Sequence, residues 1–217
     1  MREIQAQQIT DVVERLCIEA NQHLPEDIKR AIQKCRVQEE WDTAQDVLEK
    51  IIDNFKIAGE EQVPICQDTG MAVVFIKVGQ DVHITGGSLT GAVNEGVKRG
   101  YEEGYLRKSV VGDPIQRINT KDNTPAVIHY EIVEGDAVDI TVAPKGFGSE
   151  NMSRVFMLKP ADGLEGVKNA IITAVRDAGP NACPPMVIGV GIGGTFEKCT
   201  QMAKHALTRN IEEKPKI

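Results

Sequence analysis

An α+β architecture, with mixed, largely antiparallel β-sheets flanked by helices behind an N-terminal helical segment, follows from three features of this chain. Apolar residues recur at helical spacing through the first sixty positions. From Met71 onward, short apolar runs with β character alternate with further helical stretches. Turn residues join several of those runs closely enough for hairpins, which fits a mixed sheet better than a strict βαβ winding. The expected organisation is one domain over residues 1–217, helical over 1–60 and mixed sheet and helix over 61–217.

Taken in order, Pro25 and Glu26 have the character of a first helical turn. Ala44, Val47, Leu48, Ile51, Ile52 and Phe55 then form one apolar stripe. Cys17 and Cys35 lie inside helical stretches and are expected to be packing residues. Met71 to Val78 is a strand, and Asp81 to Thr85 is expected to pair with it across Gly79-Gln80. Thr90 to Leu106 reads as a helix, with Val93, Val97, Tyr101 and Tyr105 spaced four apart. Ala126–Val133 and Ala137–Val142 alternate as strands joined by Glu134-Gly135-Asp136. Leu164 to Ala178 is a helix stopped by Gly179-Pro180. Met186 to Ile192 reads as a short buried strand, and Thr195 as the N-cap of a last helix reaching Thr208.

Composition narrows the function. Hydrophobic residues make up 41% and charged residues 26%, the balance of an ordinary globular protein. A net charge of −7 lacks the basic footprint that nucleic acid or an anionic membrane attracts. No apolar run approaches the ~20 residues that span a bilayer, and the N-terminus has no signal-peptide core. Five cysteines, odd in number, scattered and without CxxC, argue against a disulfide framework and a zinc ribbon. The reduced cytoplasm is the expected setting.

Two cysteines sit among residues that break regular structure: Cys66 in Val63-Pro64-Ile65-Cys66-Gln67-Asp68-Thr69-Gly70, and Cys183 in Asn181-Ala182-Cys183-Pro184-Pro185. A thiolate at either place can ligate a soft metal or an iron–sulfur cluster, and Asp68 can exchange a proton beside the first. The competing readings are a turn capped by Asp68 around an idle thiol, and a proline-rich connector. Pro144 to Asn151 is rich in small residues whose amides can converge on an anion, or a plain surface turn. Arg107-Lys108 can grip a carboxylate or simply close a helix. Gly189-Val190-Gly191-Ile192-Gly193-Gly194 matches a dinucleotide fingerprint formally, but no second strand with a ribose-binding acid follows; close packing is the better reading. The scattered histidines have no metal-ligand spacing and receive no role.

Five motifs in this order resemble one family: Cys66-Gln67-Asp68-Thr69-Gly70, Gly104-Tyr105-Leu106-Arg107-Lys108-Ser109, Lys145 to Asn151, Cys183-Pro184-Pro185 and Gly191-Ile192-Gly193-Gly194-Thr195. The set resembles the α subunit, or N-terminal half, of class I (iron–sulfur) fumarate hydratase and L(+)-tartrate dehydratase, over about residues 5–208. The resemblance implies a 4Fe–4S cluster held by three cysteines, its open iron acting as Lewis acid on a dicarboxylate substrate. Cys66 and Cys183 match two of those ligands. Gln67 and Asp68 match substrate-contacting positions, with Asp68 the candidate catalytic acid. Arg107 matches a carboxylate-gripping arginine, and Gly146 and Gly148 a backbone donor loop. The third cysteine of the family lies in a downstream Cys-His segment without a counterpart here. The expectation is therefore a C-terminally truncated chain, inactive alone. A β subunit is expected to complete the active site in a homo- or hetero-oligomer. Fumarate and tartrate stand as alternative substrates. A cluster-free binding or assembly module is the alternative from another class.

Overall fold

The structure, a computed structural model, describes residues 1–214. The chain forms two compact units, Met1–Lys145 and Gly146–Ile217. The α+β class and the mixed sheet are observed, while the pairing within the sheets is less antiparallel than expected.

In the first unit a short strand, β1 (Arg2–Gln5), precedes three helices: α1 (Ala6–Gln22), α2 (Glu26–Gln38) and α3 (Asp42–Glu61). Pro25 caps α2, and Glu26 and Asp27 set negative charge in its first turn, where the helix dipole favours it. The α3 stripe buries Ile52 and Phe55 against Ile32 of α2, with Leu48 and Ile51 at the margin. Of the two helical cysteines, Cys17 is buried as expected. Cys35 is exposed, because α2 buries only a narrow face and Cys35 lies off it.

β2 (Met71–Gly79) is the centre of a three-stranded sheet ordered β4-β2-β5, with β4 (Val127–Val133) and β5 (Val138–Lys145) on its two sides. Ala72 through Ile76 are all buried, and a strand apolar on both faces is one that takes a central place. β2 pairs with β4 in parallel and with β5 antiparallel. The turn at Glu134-Gly135-Asp136 therefore does not make a hairpin. It steps over the end of β2, about 10 Å across two strand spacings. The Gly79 N–H donates to the Ala137 carbonyl at 2.8 Å, and Gly135 lies so close that a Cβ on Gly79 would stand 2.3 Å from its carbonyl oxygen.

The expected pairing of Asp81–Thr85 with β2 is also corrected. β3 (Val82–Thr85) leaves that sheet and pairs in parallel with β1, Arg2 opposite Val82. Both flanks of β2 are already taken, so β3 must find another edge. Of the three pairings among the described residues, only β2–β5 is antiparallel.

Helix α4 (Leu89–Glu103) starts at Ser88, whose hydroxyl oxygen accepts from the Gly91 N–H. It ends three residues short of the expected Leu106. Tyr105 adopts φ +51° and stands 92% exposed, so it leaves the apolar row shared by Val93, Val97 and Tyr101. α1 and α4 cover one face of the sheet. Val13, Cys17, Val74, Ile76, Val93, Val97 and Tyr101 form one buried cluster there, each large aliphatic contributing about 1.5–3 kcal/mol by burial.

The second unit contains α5 (Phe147–Glu150), α6 (Gly163–Ala178) and α7 (Phe196–Ala206), with short 3-10 turns at Pro160–Asp162 and Gly179–Ala182. The buried strand expected over Met186–Ile192 is absent. The segment has no strand partner among the described residues, and Val187, Ile188, Val190 and Ile192 are exposed. Its glycines explain the position: a Cβ on Gly189 or Gly191 would stand 2.1 Å from a carbonyl oxygen of α7, Ala203 or Cys199 respectively. The backbone lies directly on the helix, as the close-packing reading of these glycines anticipated. Thr195 occupies the N-cap of α7 without a side-chain capping bond. Among the described residues no helix is long and apolar enough to cross a membrane.

Candidate active site

The loop Gln62–Gly70 begins where α3 runs out into a left-handed residue, Gln62. It is moored at once. The Ile65 N–H donates to the Asn21 carbonyl at 2.9 Å, and the Asn54 side-chain amide donates to the Ile65 carbonyl at 2.9 Å. These bonds tie the loop to α1 and α3 immediately before Cys66.

Cys66 and Gln67 are exposed beyond that mooring. The Cys66 thiol donates to Gln67 Oε1 at 3.4 Å, and Cys66 Sγ accepts from the Asp68 N–H at 3.4 Å. Asp68 Oδ1 accepts from the Gly70 N–H at 3.2 Å, an Asx turn that closes the loop. Gly70 at φ +64° makes the entry into β2. Thiol, amide and carboxylate thus occupy three successive positions on one tight turn. Cysteine binds metal as the thiolate.

Arg107 comes to this turn through its backbone. It lies in an irregular stretch after α4, not at the helix end as expected, since Gly104 and Tyr105 have already broken the helix. The Arg107 N–H donates to Thr69 Oγ1 at 3.0 Å, and the Thr69 hydroxyl donates to the Arg107 carbonyl at 3.2 Å. The Tyr101 hydroxyl donates to the Thr69 carbonyl at 2.9 Å. Thr69 is buried while Arg107 is exposed, so the bonded backbone is anchored and the guanidinium side chain extends from it. Burial pushes the Tyr101 phenol above its ordinary range and keeps it a neutral donor.

Asn123 is fully buried below this contact. Its Oδ1 accepts from the Ser109 and Val110 N–H groups at 2.7 and 3.1 Å, and its Nδ2 donates to the Gly70 carbonyl at 3.1 Å. Neither Thr69 nor Asn123 carries an assigned role in the sequence alone. The run Asp122-Asn123-Thr124-Pro125 carries a usable signal, because asparagine before such a break readily takes the left-handed conformation found here, φ +60°.

The other sequence candidates lie in the second unit. Gly146 is the N-cap of α5, and its carbonyl accepts from the Glu150 N–H at 3.1 Å and the Ser149 hydroxyl at 3.2 Å. Gly146 to Gly148 is thus the start of a one-turn helix, not an open loop. Lys204 of α7 pairs with Glu150 and fixes that turn. Cys183 ends the 3-10 turn Gly179–Ala182 in a left-handed conformation, φ 55°, with its thiol exposed. Cys199 is half-buried on α7, its thiol donating to the Phe196 carbonyl at 3.3 Å. Among the described residues no three His, Cys, Asp or Glu side chains gather as a metal-ligand group.

The profile of the family described as Fumarate hydratase (Fumerase) matches residues 10–217. The chain belongs to this family. It is 42% identical over 212 residues to a protein of Methanocaldococcus jannaschii provisionally named L(+)-tartrate dehydratase subunit alpha, covering 95% of this chain and 74% of that protein. It is 32% identical to a provisionally named class I fumarate hydratase of Geobacillus stearothermophilus, over 92% of this chain and 40% of that protein. It is 27% identical to an L(+)-tartrate dehydratase subunit alpha of Escherichia coli, over 94% of this chain and 68% of that protein. The fumarate hydratase family therefore accounts for both compact units, and the match to proteins named as alpha subunits runs nearly end to end.

Proposed function

We propose that this chain is the α-type component of an iron–sulfur hydro-lyase that hydrates fumarate reversibly to malate. The observation that carries the reading is the paired hydrogen bonding of Thr69 with Arg107. It sets a cationic side chain suited to a carboxylate beside a turn that presents a thiol, an amide and a carboxylate in succession.

Cys66 and Cys183 suit a cluster in donor chemistry. Both are exposed thiols in turns, and an N–H is aimed at Cys66 Sγ. They supply two of the three protein thiolates that a 4Fe–4S centre with one open iron requires. When bound, such a cluster supplies Lewis acidity toward the substrate hydroxyl. Arg107 binds a substrate carboxylate through a bidentate guanidinium contact and so fixes the orientation of the carbon chain. The Gln67 side chain contributes an uncharged donor to the same substrate. Asp68 exchanges the proton that accompanies the hydroxyl group. Hydration adds this hydroxyl to one alkene carbon and a proton to the other; dehydration returns both as water. Gly146 and Gly148 contribute backbone contacts to the substrate.

A β-type subunit completes the site and assembles with this chain as an oligomer. The alpha-subunit names of the relatives support this partner, as does the exposure of Phe156, Met157, Ile192 and Phe196, apolar side chains that a partner surface would cover. The reduced thiols suit a cytoplasmic setting. Tartrate is the second substrate reading, favoured by the name of the 42% identical relative.

Iron and acid-labile sulfide should be measured in the anaerobically purified chain, alone and assembled with a β-type partner, beside malate–fumarate and tartrate assays. Cluster iron with fumarate hydration supports the proposal, and turnover of tartrate alone selects the second reading. An assembled protein free of iron and inactive on both substrates overturns it in favour of a binding or assembly module.

A further inference from the structure

We infer that Thr69 and Asn123 are positioning residues: together they form a buried clasp that fixes the Arg107 backbone against the Cys66–Asp68 turn and so sets where the guanidinium meets substrate. The inference rests on the carboxylate-binding role proposed for Arg107. Residues 107–126 contain no helix or strand; their one bridge among the described residues joins Val111 to Asn119. No ladder therefore holds Arg107. Its N–H is taken by Thr69 Oγ1, and those of Ser109 and Val110 by Asn123 Oδ1.

Each side chain both donates and accepts. Thr69 both donates to and accepts from the Arg107 backbone through one hydroxyl. Asn123 needs an acceptor that serves two amides and a donor for the Gly70 carbonyl, and a neutral side-chain amide of this length supplies both. Both residues are buried, so a lost partner is not replaced by water without local opening. The clasp joins three separate stretches, 69–70, 107–110 and 123; Arg107 lies in the second, and Gln67 and Asp68 directly precede the first.

The assembled α/β enzyme is the test. Thr69→Val keeps the shape and removes the hydroxyl; Thr69→Ser restores it; Asn123→Asp keeps the acceptor and removes the amide donor. Amide hydrogen exchange in the peptide spanning 106–111 should rise in Thr69→Val and Asn123→Asp, while peptides from β2 and α4 keep their protection. KM for the dicarboxylate should rise about tenfold with kcat within about threefold, and Thr69→Ser should recover both exchange and KM. If Asn123→Asp does not fold, the Thr69 pair decides. Exchange that rises equally in β2 and α4 would mark the two residues as general stabilisers and overturn the proposal. So would a wild-type KM in a variant whose 106–111 peptide has opened, provided Arg107→Ala raises KM. An Arg107→Ala enzyme with normal KM would instead remove the role assigned to Arg107, and the clasp's function with it.

Discussion

Gly100 of α4 lies directly on Cys17 of α1: a Cβ on Gly100 would stand 2.7 Å from Cys17 Cβ and 2.8 Å from the Glu14 carbonyl oxygen. Gly96, one turn earlier, is equally close to the Thr10 carbonyl and Val13. The two helices thus meet backbone to backbone, and this contact sets the depth at which Tyr101 reaches Thr69.

Gly100→Ala brings two opposing effects. Alanine in a helix interior gains about 1 kcal/mol over glycine, and overpacking costs about 1–3 kcal/mol. One of the atoms in the way is a helix carbonyl that cannot swing aside, so the cost wins. The expected result is a net loss of up to about 2 kcal/mol, read as a lower urea midpoint with unchanged slope. A midpoint at or above that of the parent chain would show that α1 and α4 are not packed this closely.

The same contact makes stability sensitive to alkaline pH. Burial pushes the Cys17 thiol from its ordinary 9.0 up to about 12. As pH rises through 9 the unfolded chain releases this proton first, so the folded state binds more protons and stability falls toward pH 12. Tyr101 is shifted in the same direction, also chiefly by burial. In a Cys17→Ala variant this thiol contribution is gone. The stability gap between parent and variant, measured by urea titration, should therefore narrow steadily above about pH 9. A gap that stays constant from neutral to strongly alkaline pH contradicts a buried protonated thiol.

The thiols should also differ in reactivity. Cys35, Cys66 and Cys183 are exposed, Cys199 is half-buried and Cys17 is buried. In the cluster-free chain, maleimide labelling followed by peptide mass spectrometry should mark Cys66 and Cys183 within the first minutes. Cys17 should remain unlabelled until denaturant is added, with a rate at least about 100-fold slower, because access requires opening of the core. Early labelling of Cys17 would place it outside the core.

Much of this architecture was legible in local pattern. The α3 stripe and the start and stop of α6 need only residues near in sequence, and the apolar run at the start of β2 reads as a strand. What could not be read was choice of partner. Nothing in Val82–Thr85 says that it pairs with Arg2–Gln5, because pairing is decided by which sheet edges remain free. Met186–Ile192 has the composition of a strand, yet its glycines lay it on α7. The candidate residues of the site stand out as types in breaker-rich loops. The atoms that bring Arg107 to the Cys66 turn belong to Thr69 and Asn123, which look like ordinary turn residues until the fold joins them.

Removing the proposed cluster ligand gives the last prediction. Cys66 is exposed and makes weak sulfur contacts within its own turn, so Cys66→Ser should leave the first unit folded, with a urea midpoint close to that of the parent chain. The serine hydroxyl is a poor ligand for iron, and loss of a direct thiolate should exceed the 10–100-fold penalty typical of outer-shell changes. In the assembled enzyme, iron, sulfide and hydratase activity should therefore fall together by more than about 100-fold. Cys35→Ser is the matched control, an equally exposed thiol on α2, and should retain all three. Full turnover in Cys66→Ser with normal iron would strip Cys66 of its ligand role, and equal losses in Cys35→Ser would trace the effect to general thiol damage.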